Sequence, residues 1–361
     1  MIKILDCKNK KYFSKINKFL LKRKLVSSAN QNLVDKIIQD IKKKGDKELI
    51  KYEKKYSKNR EIFTNNKKIL KSVKLLDPKV KKAIDYSIKR IFNFHKRQKI
   101  QNIFYKDKLR NKLYYKYKPI SSVAIYVPGG NASFPSTVLM NAIPAKIAGV
   151  KRIVMINPKR NGKQSPAVLY AAKKLGIKEM YSIGGVQAIA ALAYGTKKIQ
   201  KVDKIVGPGN IFVSSAKKAV FGDVGIDMIA GPSEILIVAD DKNDPEHIAI
   251  DLLSQAEHDK LAQSILITNN YEFAKDVLKN VKRVLKILSR KEIAQDSWNN
   301  YGVVIVSKSI NSAVEMANEL GSPSDMGSAA LNWYERGLAA GHGDLDRSGI
   351  VLTEDPALLD G

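Results

Sequence analysis

Read from the first residue, the apolar positions change their spacing near residue 120. Before it the spacing is helical. Asn32-Leu33-Val34-Asp35-Lys36-Ile37-Ile38-Gln39-Asp40-Ile41 places Leu, Val and Ile at three- and four-residue intervals, and Gly45 is a natural stop. Asp77-Pro78 opens a second helix, with Val80, Ile84, Ile88 and Ile91 as its apolar stripe. After residue 120 short apolar runs alternate with glycine-punctuated amphipathic stretches. Val123 to Val127, Ile153 to Ile156, Met180 to Ile183, Lys204 to Val206 and Ile235 to Ala239 are the strand candidates. Between them lie a helix to Ala148 capped by Ser136 or Thr137 and closed by Gly149, one over Ala167–Leu175 ended by Gly176, and one over Val186–Tyr194. Asp244-Pro245 is an N-cap followed by proline at the first helical position, and the helix runs on through Ile248, Leu252, Leu253 and Ala256. Strands and helices of these lengths in alternation predict βαβ units and a parallel sheet.

Composition changes this picture little. The chain has 361 residues, 44% hydrophobic, which is room for more than one core. No apolar run of about 18 residues marks a membrane span, and no apolar core opens the chain as a signal peptide would. A single cysteine, Cys7, makes no internal disulfide and fits a reducing cytoplasm. The formal net charge of +29 is uneven: residues 1–120 hold 37 Lys and Arg against 10 Asp and Glu, and the rest is nearly balanced. No helix-turn-helix, zinc-finger or RNP pattern accompanies it, so the charge reads as a solvated lysine surface, and a nucleic-acid-binding protein is the weaker alternative.

Candidate chemistry lies at the strand ends. Gly129-Gly130, Gly184-Gly185 and Gly207-Pro208-Gly209-Asn210 each stand between a strand and a helix. Such a position offers backbone N–H groups and a helix dipole to phosphate, yet it equally serves a tight turn, and the spaced-glycine dinucleotide fingerprint is absent from this stretch. Gln255 and His258 are three residues apart near a helix end, where two neutral donors share a face; a surface histidine at a helix terminus is the plainer reading.

Six ordered blocks carry a resemblance. They are Tyr126–Gly130, Ser136–Met140, Gly184–Gly195, Val202–Asn210, Asp227–Glu234 and Asp251–His258. Together they resemble histidinol dehydrogenase over residues of about 20–320. The resemblance implies oxidation of L-histidinol to L-histidine through the aldehyde, with two NAD+ in succession, as the last step of histidine biosynthesis. It implies NAD contacts at Tyr126, Gln187 and Asn210, substrate contacts at Ser233, Gln255 and His258, and one zinc ion per subunit ligated by Gln255 and His258. It further implies a homodimer whose active site draws on both subunits, and an α/β fold of two incomplete Rossmann-like domains of the aldehyde-dehydrogenase type. The expected domains are an arm over 1–20, a discontinuous first unit over 21–125 plus 237–320, an NAD-contacting second unit over 126–236, and a tail over 321–361.

The family pattern is interrupted after Gly321. Ala317-Asn318-Glu319-Leu320-Gly321 is followed by Ser322-Pro323-Ser324-Asp325, where the family carries a Glu-His base pair. The family's remaining Asp and His zinc ligands find no counterpart either. All 53 lysines fall at or before Lys308, so the tail differs in composition as well as in motif. A foreign tail is the expectation, with the family's C-terminal domain absent. The alternative to a working enzyme is then a family member, inactive or chimeric, that only binds NAD or histidinol. His342, Asp344 and Asp346 read as a solvated turn rather than a rebuilt metal site.

Overall fold

The computed structural model describes residues 4–7, 16, 19–20, 31–59, 61–64, 66–129, 133–159, 162–229 and 233–319, with backbone alone at 66–68, 318 and 319. The atypical tail and its His342, Asp344 and Asp346 lie outside the described residues. In chain order the elements are β1 (Ile4–Asp6), α1 (Gln31–Lys44), α2 (Asp46–Ser57), α3 (Asn66–Lys74), α4 (Pro78–Lys96), β2 (Ile103–Lys106), β3 (Lys112–Tyr115), β4 (Ser122–Tyr126), α5 (Pro135–Ala148), β5 (Arg152–Ile156), α6 (Pro166–Lys174), β6 (Glu179–Tyr181), α7 (Gly185–Tyr194), β7 (Lys204–Val206), α8 (Ile211–Val220), β8 (Gly225–Ile226), β9 (Glu234–Val238), α9 (Pro245–Ala256), β10 (Gln263–Thr268), α10 (Tyr271–Ile287), α11 (Lys291–Tyr301), β11 (Val303–Val306) and α12 (Ile310–Glu319). They divide into two compact units. Ser27–Gly231 is one, and the described parts of Met1–Val26 and Pro232–Gly361 are the other.

The Ser27–Gly231 unit is built on a five-stranded parallel sheet in the order β6-β5-β4-β7-β8. All five residues of β4 are buried, as a parallel strand covered on both faces requires. Alternate residues go to opposite cores. Ala124 and Tyr126 pack with Val34, Ile37, Ile38 and Ile41 of α1, while Ile125 and Val127 pack with Val138, Leu139, Ile84 and Ile69. Residues 27–125 therefore lie with 126–231, and the expected union of 21–125 with 237–320 is not what forms. An amphipathic stripe states that a face is buried without naming its partner. Within α4 the predicted stripe holds at Ile84, Ile88 and Ile91, but Val80 is 38% exposed. The start of α5 also differs, with Phe134 at the cap and Pro135 first in the helix, so neither Ser136 nor Thr137 caps it.

In the other unit four parallel strands lie in the order β1-β11-β10-β9. One face packs Leu266, Val304 and Val306 against α9, α10 and α11, and the other packs Ile265, Ile267 and Ile305 against Ala313 and Met316 of α12. Ile4–Asp6, expected as part of an arm, is instead the edge strand beside β11. β9 pairs with β10, so the boundary expected at 236 moves to the segment before Ser233.

Between α4 and β4 stands a two-stranded antiparallel hairpin of β2 and β3 whose eight strand residues are all exposed. Asp107 shapes its turn by accepting from the Asn111 backbone N–H at 2.7 Å and side-chain amide at 2.8 Å, and Arg110 takes φ +66° there. Phe104 and Tyr114 face each other across the ladder with ring centroids 4.8 Å apart.

Candidate functional site

In the Ser27–Gly231 unit the strand order reverses between β4 and β7. The crevice outside the carboxyl ends of strands at such a reversal is where parallel α/β sheets take ligands. Tyr126 ends β4 and Gly207 directly follows β7. The two chains approach so closely that a Cβ built on Gly207 would stand 2.3 Å from the Tyr126 carbonyl oxygen, and Gly207 adopts φ +108°. Only glycine meets both conditions. The turn is fixed from behind: the Gly207 N–H donates to Asp227 Oδ2 at 2.7 Å, and Lys217 Nζ donates to the Gly207 carbonyl at 3.0 Å while pairing with Asp227. Lys217 is buried, while Asp227 is open to solvent.

Asn210 caps α8, its Oδ1 accepting from the Val213 N–H at 3.1 Å. It is exposed, and its side-chain NH2 has no partner among the described residues. Cap duty thus leaves the Asn210 NH2 as a free donor.

The third component is the Gly184-Gly185 turn ahead of α7. Tyr126 Oη accepts from the Gly185 N–H at 3.0 Å, which ties the end of β4 to the start of α7. Glu53, from α2, sends Oε1 to the same turn and accepts from the Gly184 N–H at 2.7 Å and from Gln187 Nε2 at 2.9 Å. Glu53, Tyr126 and Gln187 are all buried. Burial pushes the Tyr126 hydroxyl up to about 12, against the opposing pull of the Gly185 N–H. Burial likewise raises the Glu53 carboxyl, outweighing the hydrogen bonds from Gly184 and Gln187. Glu53 Oε2 is buried without a well-formed hydrogen bond, with the Ser57 hydroxyl close enough to weigh on its ionisation. Beside this turn Asn157 donates to the Val127 carbonyl at 3.1 Å, and its buried Oδ1 has no partner.

The N–H groups of Gly184, Gly185 and Gly207 are therefore all held by protein oxygens. Of the two readings open for these glycines, tight turns account for each of those N–H groups. The structure brings Tyr126 and Gln187 to one turn and sets Asn210 after β7, the strand paired with β4. Sequence reasoning passed over Glu53, Asn157, Lys217 and Asp227. A signal for Glu53 was present: Leu49, Tyr52 and Glu53 lie at helical spacing on the buried side of α2, an acid on an apolar stripe.

In the other unit Ser233 immediately precedes β9, and its carbonyl accepts from the Gln263 N–H at 3.0 Å, at the start of β10. Helix α9 runs back between these strands, so its C-terminal end returns to the same amino-terminal edge of the sheet. Gln255 and His258 sit there, Gln255 half-buried and His258 exposed. His258 Nδ1 lies 2.6 Å from the Ser254 carbonyl oxygen. That bond needs the proton on Nδ1 and leaves the Nε2 lone pair outward, the tautomer a metal takes. Among the described residues no group of three His, Cys, Asp or Glu converges on a metal position. Zinc takes about four ligands, and the described part of this chain offers two. A recess of about 690 Å³ between α10 and α11, lined by Leu278, Lys282, Leu285 and Trp298, contains none of the candidate residues. No helix among the described residues is long and apolar enough to cross a membrane.

Comparison with known proteins gives a consistent result. A family model described as histidinol dehydrogenase matches residues 21–323. The histidinol dehydrogenase of Pelagibacter ubique is 57% identical over 321 residues, covering 89% of this chain and 75% of that protein. That of Agrobacterium fabrum is 46% identical over 306 residues, covering 84% and 71%. The crystal structure of histidinol dehydrogenase from Elizabethkingia anophelis superposes with a TM-score of 0.70 at 39% identity, covering 80% of this chain and 67% of that one.

Proposed function

The chain belongs to the histidinol dehydrogenase family, and from that premise we propose that it oxidises L-histidinol to L-histidine through the aldehyde, using two NAD+ in succession. The observation that supports the cofactor half of this reading is the β4/β7 crevice. Of the positions matching the family's NAD contacts, Tyr126 ends β4, Asn210 follows β7, and Gln187 lies in the first turn of α7, whose Gly185 N–H is bonded to Tyr126 Oη. NAD+ when bound supplies the hydride acceptor for both oxidations. The residues of this chain bind and orient. Asn210 offers an NH2 donor, and Tyr126, whose Oη already accepts from Gly185, has its own hydroxyl proton to give. A phenol is protonated at neutral pH, and burial moves Tyr126 further from ionisation.

For the substrate half, Ser233, Gln255 and His258 gather at one edge of the other unit's sheet. We read Gln255 and the Nε2 of His258 as two ligands of a zinc ion that would orient the substrate's amine and imidazole. With two donors among the described residues the set is incomplete. Each oxidation also requires a base to take the hydroxyl proton as hydride leaves carbon, and the second requires an activated water. The described residues assign no group to that task. The homodimer and the cytoplasmic location expected from the resemblance are part of the same proposal.

The test is NADH absorbance from purified full-length chain with L-histidinol, NAD+ and added Zn2+. Turnover that a chelator abolishes supports the whole reading. Folded protein that binds NAD+ and never forms NADH would refute the activity and leave a scaffold without its chemistry.

A further inference from the structure

The carboxyl of Glu53 is a buried acid that the reaction does not use. It is 2% exposed, it comes from α2, and it reaches more than a hundred residues along the chain to the Gly184-Gly185 turn. Its Oε1 receives two N–H groups at once. One is the backbone of Gly184, and the other is the side-chain amide of Gln187, a residue itself 2% exposed. A carboxyl oxygen at 2.9 Å accepts and repels another acceptor, so the Gln187 amide has one stable orientation, with Nε2 inward. The whole amide packs on the turn, its carbonyl end nearest: a Cβ built on Gly185 would come 2.9 Å from Gln187 Oε1 and 3.3 Å from Nε2. Gly185 has none, and its φ of +67° suits glycine.

We propose that Glu53 is a positioning residue of the cofactor site, fixing the Gln187 amide so that its carbonyl Oε1 is presented to a bound dinucleotide. This rests on the reading that the crevice takes NAD+. The ligand group that meets Oε1 must be a donor, which in a dinucleotide means a ribose hydroxyl, the nicotinamide carboxamide or the adenine amino group. Burial raises the Glu53 carboxyl above the ordinary carboxylate range, against the pull of the two N–H groups on Oε1.

The experiment measures NAD+ affinity by calorimetry, and KM for NAD+ and for L-histidinol, on the full chain. The variants are Glu53→Gln, Glu53→Leu, Gln187→Leu and the double variant Glu53→Leu/Gln187→Leu. Glu53→Gln keeps an acceptor in place and should bind NAD+ within a few-fold of the parent. Glu53→Leu removes the acceptor and should weaken NAD+ about tenfold or more, as loss of a buried hydrogen bond does, with binding of L-histidinol unchanged. In the Gln187→Leu background the same change should have little further effect, because the two residues act as one unit. A purely structural role would lower thermal stability and weaken both ligands in both backgrounds, and that outcome overturns the proposal. So does Glu53→Leu binding NAD+ as the parent does. If Glu53→Leu fails to fold, Glu53→Asp replaces it, retracting the acceptor by one methylene, with the same expected and overturning results. A parent chain that does not bind NAD+ refutes the cofactor reading itself, an outcome distinct from parent binding that is insensitive to residue 53.

Discussion

Gly207 and Gly222 form a matched pair on which the account of the crevice can be tested. Both are at positive φ, +108° and +105°, in the same unit. A side chain at either incurs the backbone penalty of a sparsely populated region, about 1–3 kcal/mol. They differ in surroundings. A Cβ on Gly222 meets nothing within 4 Å, whereas one on Gly207 meets the Tyr126 carbonyl oxygen at 2.3 Å and the Tyr126 nitrogen at 3.1 Å. Those are backbone atoms of a fully buried central strand, hydrogen-bonded on both sides, and they cannot swing away. Overpacking of this kind adds about 1–3 kcal/mol. Gly207→Ala should therefore destabilise the Ser27–Gly231 unit by about 2–6 kcal/mol, from the two contributions together, and Gly222→Ala by the first contribution alone. Urea unfolding followed by a probe confined to this unit gives both numbers. NAD+ affinity should fall in Gly207→Ala and hold in Gly222→Ala, since only the former moves Tyr126. Equal losses of stability in the two variants would refute the close approach of β4 and β7 as the constraint on residue 207.

Other expectations follow from single contacts. Burial holds the Glu53 carboxyl above the ordinary carboxylate range, so over that window the folded chain keeps a proton that the unfolded chain releases. Stability contributed by this group falls as pH rises from the ordinary value through the raised one. Glu53→Gln should remove that decline, and an unchanged slope of urea midpoint against pH would show that Glu53 is not its source. Asn270 caps α10 by accepting from the N–H groups of Glu272 at 2.9 Å and Phe273 at 3.1 Å; Asn270→Ala should cost about 1 kcal/mol in thermal unfolding of its unit and leave NAD+ affinity alone. His258→Ala should abolish NADH formation without changing NAD+ affinity, and a parallel loss of cofactor binding in calorimetry would contradict the assignment of His258 to the substrate side.

The βαβ texture after residue 120 was legible because buried parallel strands are unbroken apolar runs, as Val123 to Val127 shows. Asp77-Pro78 and Asp244-Pro245 were equally plain, since cap and first-turn proline are local chemistry, and both side chains do accept from the N–H two residues on. What depended on distant partners was not legible. The stripe of α1 gave no hint that it packs on Ala124 and Tyr126 rather than on the later unit. β1 pairs with β11, from opposite ends of the described chain, and three residues carry no periodicity that would announce it. At the site, Tyr126, Gln187 and Asn210 came from resemblance to a family, not from spacing. Glu53 hid in Glu53-Lys54-Lys55, a run that reads as solvated surface until Leu49 and Tyr52 are seen on the same side of the helix.

The exposed hairpin bears on how the protein behaves in concentrated solution. Both outer edges of a two-stranded ribbon have unpaired backbone groups, and Phe104, Tyr105, Tyr114 and Tyr115 give it a sticky, flat aspect, a template on which further strands can add. Lys106, Lys108, Lys112, Lys116 and Lys118 are spaced along that same ribbon. Two copies meeting edge to edge bring these ammonium groups together, and at about 0.1 M salt the repulsion reaches about 10 Å, further than the spacing between paired strands. At about 1 M salt it shrinks to about 3 Å, and the guard is gone while the aromatic faces remain. The lysines of the ribbon thus oppose edge-to-edge addition of further strands, and high salt should weaken that opposition.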